Sequence, residues 1–139
     1  MEVKQISAAL GAEITNVDLA QVSDDQVEEI KSLLTEHKVI FFPGQKLSQD
    51  EHVEYGAKFG ELEGHPNLKN KTVTHPKIFE LAASSGGIAD EWHTDITFQD
   101  SPAIMSVLHM VKCPELGGDT MWSNLNAAYE ALSDPIKDL

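Results

Sequence analysis

Residues Trp92 to Phe98 read WHTDITF, a β-branched and aromatic run in which His93 and Asp95 are separated by one residue. That composition predicts a strand, and on a strand residues two apart project from the same face. An imidazole nitrogen and a carboxylate oxygen on one face can take adjacent positions on one metal ion, leaving the rest of the coordination sphere for a third ligand and for substrates. His93 and Asp95 therefore make two-thirds of a facial triad and are candidate metal ligands.

Spacing alone is weak evidence for such a site. With six histidines and 23 acidic residues in 139 positions, roughly one His-x-Asp/Glu arises by chance. A second instance, His52-Val53-Glu54, falls in a predicted helix, where residues two apart diverge around the axis and do not easily share a metal. The plainer account of His93 is a partly buried histidine hydrogen-bonded to Asp95 or to backbone. Further along, the tight glycine turn of Gly117-Gly118-Asp119 is expected to deliver Thr120 onto a strand after the hairpin that carries the metal motif, where its hydroxyl could bind a carboxylate. An ordinary strand threonine is the alternative. His109, in the apolar run AIMSVLHMVKC, could in principle reach a metal, although a satisfied strand histidine is the simpler reading.

Upstream of these motifs, Val3 to Leu19 reads as two short strands around a turn at Gly11 and Asn16. Ser23 with Gln26 forms a capping box, and Val27, Ile30, Leu33 and Leu34 follow at helical spacing as far as about His37. A buried strand is expected over Lys38 to Phe42, stopped by Pro43-Gly44. Ser48 with Glu51 repeats the capping signature for a second helix that Gly60 ends. Residues 61–77, rich in Gly, Pro, Asn and Lys, form a long loop of the kind that often carries function, and His65 and His75 lie in it. From Ile78 the chain reads as mainly β: IFELAAS, WHTDITF, AIMSVLHMVKC and DTMWSN resemble strands separated by turns. Asn124 or Asn126 caps a short helix through Leu132, after which DPIKDL carries no visible closing element.

The composition, 41% hydrophobic and 24% charged, is that of a globular chain long enough for one domain. A formal charge of -13 repels phosphate backbones and anionic membrane surfaces, so nucleic acid and membrane are not expected partners. No segment approaches the roughly 20 apolar residues of a membrane span. A single cysteine, Cys113, excludes an intramolecular disulfide, and the opening MEVKQISAAL lacks a secretory pattern, which suggests the cytoplasm. Cys113 is expected to be buried in its apolar run.

FGELEGHP (59–66), WHTDITF (92–98), GGDTMW (117–122) and AAYEALS (127–133), in that order and at those separations, resemble the taurine dioxygenase (TauD/TfdA) family. HKVIFFPGQKLSQDEHVEYGAKFG also looks like that family's N-terminal strand and helix, so the likeness runs from about Gly11 to the last residue. The resemblance implies an Fe(II)- and 2-oxoglutarate-dependent dioxygenase. Its fold would be α+β, mainly β: the N-terminal part of a double-stranded β-helix (a clavaminate synthase-like jelly roll) with flanking helices. Residues 1–139 would form the N-terminal portion of a single domain whose C-terminal half is absent. Carried over by position, His93 and Asp95 become the first histidine and the carboxylate of the iron triad. Thr120 becomes the hydroxyl that binds the distal carboxylate of 2-oxoglutarate, His65 a substrate-anion contact, and Ile96 an apolar wall of the substrate pocket. The cosubstrates would be 2-oxoglutarate and O2, the coproducts succinate and CO2, and the substrate a small organic acid, sulfonate or sulfate ester; a homo-oligomer stays open.

The departures bear on the substrate. Where the family's taurine enzyme has an asparagine four positions before the metal histidine and a tyrosine three after the substrate histidine, this chain has Ala89 and Leu68. Losing both polar groups points to a more apolar ligand than taurine. The family's second iron histidine and its carboxylate-binding arginines come from a later segment, and all ten basic residues here are lysines. A two-ligand site should hold iron weakly. Two rivals follow: a noncatalytic cupin-like domain binding a small anion or metal, and a metal-dependent hydrolase, which would call for further clustered ligands.

Overall fold

Two short strands open the chain because the turn between them can close. In the computed structural model, which describes residues 1–63, 75, 77–81 and 90–139, β1 (Glu2–Gln5) pairs antiparallel with β2 (Ala12–Thr15), with Glu2 opposite Thr15 and Gln5 opposite Ala12. Gly11 sits at φ +99°, where a Cβ would lie 3.0 Å from the Ile6 side chain, and the Ile6 N–H donates to the Gly11 carbonyl at 3.0 Å. Burial alternates along β2: Ala12 and Ile14 are fully buried, while Glu13 and Thr15 are half-buried. This is the period-two pattern of a strand with one face on a core.

A single 3-10 turn (Leu19–Gln21), capped by Asp18, leads into helix α1 (Asp24–His37). Both halves of the Ser23–Gln26 capping box form, and Asp24 and Asp25 occupy the first turn, where the positive end of the helix dipole favours them. Val27, Ile30 and His37 are buried and Leu33 and Leu34 half-buried, one apolar stripe at helical spacing. Lys38 then takes a left-handed φ of +67° and caps the helix by donating to the Leu34 carbonyl at 2.8 Å. The reversal carries the chain into β3 (Ile40–Phe41), parallel to β2 with Ala12 opposite Ile40. The strand expected over Lys38 to Phe42 is thus shorter and only half-buried, because Lys38 belongs to the helix cap. The sheet order is β1-β2-β3.

Contacts divide the chain into two units, Met1–Lys46 with Val111–Leu139, and Leu47–Met110. In the first, Trp122 meets Phe41 edge to face at 5.3 Å between ring centres. Asn124 caps helix α3 (Leu125–Glu130) by accepting from the Ala127 N–H, and its amide donates to the Ala9 carbonyl at 2.7 Å. Of the two candidate caps, Asn124 is the one used. DPIKDL does carry an element: α4 (Asp134–Lys137), with a proline in its first turn, and Lys137 reaches Glu130 at 2.9 Å.

In the second unit, helix α2 (Gln49–Ala57) begins at the Ser48–Glu51 capping box, and its Tyr55 packs edge to face on Phe59 at 5.1 Å. Alongside runs the extended stretch 104–110, where Met105, Val107 and His109 are half-buried and Ile104, Ser106, Leu108 and Met110 exposed. His52 Nε2 lies 3.0 Å from the Val107 carbonyl, and the His52 and His109 rings meet edge to face.

The mainly-β second half is not realised: among the described residues no strand follows Phe41. WHTDITF and DTMWSN are irregular, and 104–110 alternates like a strand yet has no ladder partner among the described residues. A strand is defined by pairing, and these segments have none to pair with. Cys113, expected to be buried, is exposed for the same reason. Part of IFELAAS lies outside the described residues. Among those described, no helix is long and apolar enough to cross a membrane.

Candidate metal site

His93 Nε2 stands 3.5 Å from Asp95 Oδ1. Two donors bound at about 2.1 Å and at right angles on one octahedral ion stand about 3 Å apart, so this separation needs only a small contraction to chelate. His93 Nδ1 lies 2.8 Å from the Glu91 carbonyl, which can only accept, so the backbone engages Nδ1 and Nε2 is the ring nitrogen turned to Asp95. Of the plainer account of His93, the hydrogen bond to backbone is present and the burial is not, since the side chains of His93 and Asp95 are 59% and 70% exposed.

The pair meets without a strand. Ile96, directly after Asp95, has φ +43°, a left-handed conformation that reverses the chain, and the Gln99 N–H closes the following turn on the Ile96 carbonyl at 3.1 Å. The Thr94 and Thr97 hydroxyls hydrogen-bond to each other across the reversal. These hydroxyls and the Glu91 carbonyl are features that the sequence reading missed. A backbone carbonyl leaves no trace in a sequence, but hydroxyls three residues apart astride a candidate ligand do.

Thr120 is exposed and irregular, in the first unit, after Gly117 and Gly118 at φ +75° and +73°; the glycine turn forms, the strand does not. His65 lies outside the described residues, as do Leu68 and Ala89. Ile96 is half-buried. His52 is engaged with the Val107 carbonyl on α2, so the rival His52-Val53-Glu54 pair is structural, and His109 packs on His52. Among the described residues no group of three or more His, Cys, Asp or Glu side chains could hold a metal ion together.

Comparison with known proteins places this chain in a family. The family model "Taurine catabolism dioxygenase TauD, TfdA family" matches residues 2–139. An alkylsulfatase of Acinetobacter baylyi is 39% identical over 99% of this chain and 44% of its own length. An alpha-ketoglutarate-dependent sulfate ester dioxygenase of Pseudomonas putida is 38% identical over 100% of this chain and 46% of its own. The crystal structure of a taurine dioxygenase from Burkholderia xenovorans matches 99% of this chain and 49% of that one, with a TM-score of 0.80 and 38% identity. The chain spans about half the length of the relatives it matches. With a match from its second residue to its last, the chain belongs to the taurine catabolism dioxygenase TauD, TfdA family.

Proposed function

We propose that this chain is the ligand-bearing N-terminal portion of a single Fe(II)- and 2-oxoglutarate-dependent dioxygenase domain, a jelly roll with flanking helices, that hydroxylates a small organic acid, sulfonate or sulfate ester. The observation that carries the proposal is the pair His93 Nε2 and Asp95 Oδ1 at 3.5 Å, with the other imidazole nitrogen engaged by backbone, in a chain that belongs to this family.

The donor set fits the metal: one neutral imidazole and one carboxylate are two of the three protein ligands of a facial triad, and the exposure of both leaves room for further ligands. When bound, iron with 2-oxoglutarate and O2 supplies the oxidising power for hydroxylation, with succinate and CO2 as coproducts. The chain's own residues hold and orient. His93 presents Nε2, Asp95 adds charge and a second donor, and Thr120 offers a hydroxyl to the distal carboxylate of 2-oxoglutarate. His65 contacts the substrate anion and Ile96 forms an apolar wall beside it. A third ligand and an arginine clamp would come from sequence beyond these residues, as would strands to pair with 104–110.

Within the substrate range, an alkyl sulfate ester is the first choice. Two relatives at 38–39% identity are named for sulfate esters, and Ala89 and Leu68 stand where a taurine site has polar groups. A cytoplasmic location suits the lone cysteine. The test is anaerobic addition of Fe(II) and 2-oxoglutarate to the full-length gene product, followed by admission of O2 and assay of succinate with a panel of alkyl sulfates, sulfonates and aryloxy acids. A visible charge-transfer band and succinate formed fastest with an alkyl sulfate are expected. No band at saturating iron sinks the oxygenase reading, and taurine as the fastest substrate sinks the substrate choice.

One rival has an observation of its own. A chain without arginine, and without a three-residue metal cluster among the described residues, suits a noncatalytic cupin-like domain that binds a metal or small anion. Metal binding without succinate formation in the same assay would favour it.

A further inference from the structure

We infer that the hydroxyl bridge between Thr94 and Thr97 is the positioning device for the Asp95 carboxylate, holding it beside His93 before a metal arrives. This rests on the reading of His93 and Asp95 as metal ligands.

Three non-glycine residues have positive φ among the described residues: Asn16, Lys38 and Ile96. Asparagine tolerates the left-handed region, and Lys38 occupies it as a helix cap. Ile96 is different, because a β-branched side chain there is crowded against its own backbone. A conformation of that kind persists only where surrounding contacts enforce it. The contacts around Ile96 are local: Thr94 Oγ1 to Thr97 Oγ1 across it, and the Gln99 N–H onto its carbonyl at 3.1 Å.

Asp95 lies inside the ring that the Thr94–Thr97 bridge closes. With the bridge made and Ile96 left-handed, the backbone on both sides of Asp95 is fixed and its carboxylate faces His93 at 3.5 Å. The histidine is anchored from the other side by the Glu91 carbonyl. The contacts named here around the dyad all fall within residues 91–99. Both threonines are exposed, so the bridge adds little to folding, and its effect is on the Asp95 backbone that presents the carboxylate. A metal then binds donors already close to their final places, and less ordering entropy is lost on binding.

The test is Co(II) titration of the 139-residue chain, followed by the visible spectrum and by the hyperfine-shifted, exchangeable imidazole N–H of a ligated histidine. The unsubstituted chain is expected to show that resonance, and His93→Ala to lose it. Thr97→Val and Thr94→Val should each weaken Co(II) binding by about 10-fold, the lower end of what orienting groups around a metal contribute. Thr97→Ser, which keeps the hydroxyl, should restore affinity to within about 2-fold of the parent. The far-ultraviolet circular dichroism of all variants should be unchanged. If the unsubstituted chain gives no histidine-dependent signal, the ligand reading falls and this inference with it. If the signal is present but Thr97→Val binds as tightly as the parent, or Thr97→Ser fails to rescue, the bridge is not the positioning device while the ligand reading stands.

Discussion

His93 Nε2 faces Asp95 Oδ1 at 3.5 Å, on a loop that exposes both side chains. An exposed histidine–carboxylate contact at that distance contributes little to stability, because water and salt screen it and two side chains must be held for it. The structural benefit of the pair is therefore too small to account for the backbone reversal that forms it. In the function proposed above the pair is kept for a metal and not for stability.

Asp95→Asn separates the two roles. The substitution keeps the shape and removes the anionic donor, so metal affinity should fall by more than about 100-fold, beyond what loss of a merely orienting group costs. The thermal midpoint should stay within experimental error. A large loss of stability with unchanged metal binding would make the pair structural, and calorimetry beside a metal titration reads both.

Ile30→Ala tests the small core of the first unit. Ile30 and Ile14 are fully buried, one on α1 and one on β2, and removing three carbons from such a position costs about 2–5 kcal/mol through lost burial and the cavity left behind. Urea unfolding followed by circular dichroism should show a lower midpoint with an unchanged slope.

Much of the helical structure is legible because its signals are local. Both capping boxes form where Ser23–Gln26 and Ser48–Glu51 stand in the sequence, since a cap needs only its own four residues. The helix at Asp134–Lys137 is equally local, with Ser133 before it and Pro135 in its first turn, signals that mark a helix start even in so short a segment. Residues 104–110 fail for a different reason. Their alternation is present, but a strand depends on a partner that no property of the segment itself supplies. The site shows the same division. His93 and Asp95 are near each other as expected, but by a left-handed Ile96 and not by the shared face of a strand, and no propensity places isoleucine at φ +43°.

Gly11→Ala probes the first hairpin. The new methyl would sit 3.0 Å from Ile6 Cγ1 at a backbone φ of +99°, so both steric conflict and the left-handed conformation oppose it. A loss of about 1–3 kcal/mol is expected. The Gly11 N–H also donates to the His37 carbonyl at 2.8 Å, so amide exchange at Gly11 should speed up in the variant. Unchanged exchange together with unchanged stability would contradict the geometry.

Tyr55 gives the fold of the second unit a pH dependence at the alkaline end. The residue is 3% exposed, and burial pushes its hydroxyl from the ordinary 10.0 up to about 12. The folded state therefore resists a deprotonation that the unfolded chain undergoes more readily. The stability held by the neutral phenol is intact below pH 10, the unfolded value, and is lost as pH rises towards 12, the folded one. Tyr55→Phe cannot ionise, so its stability relative to the parent should improve steadily across that window, measured as the difference in urea midpoint from about pH 9 to about pH 11.5. Taking the difference cancels the lysines that titrate in the same range in both proteins. A difference that stays flat with pH would mean that the Tyr55 hydroxyl reaches water in the folded protein.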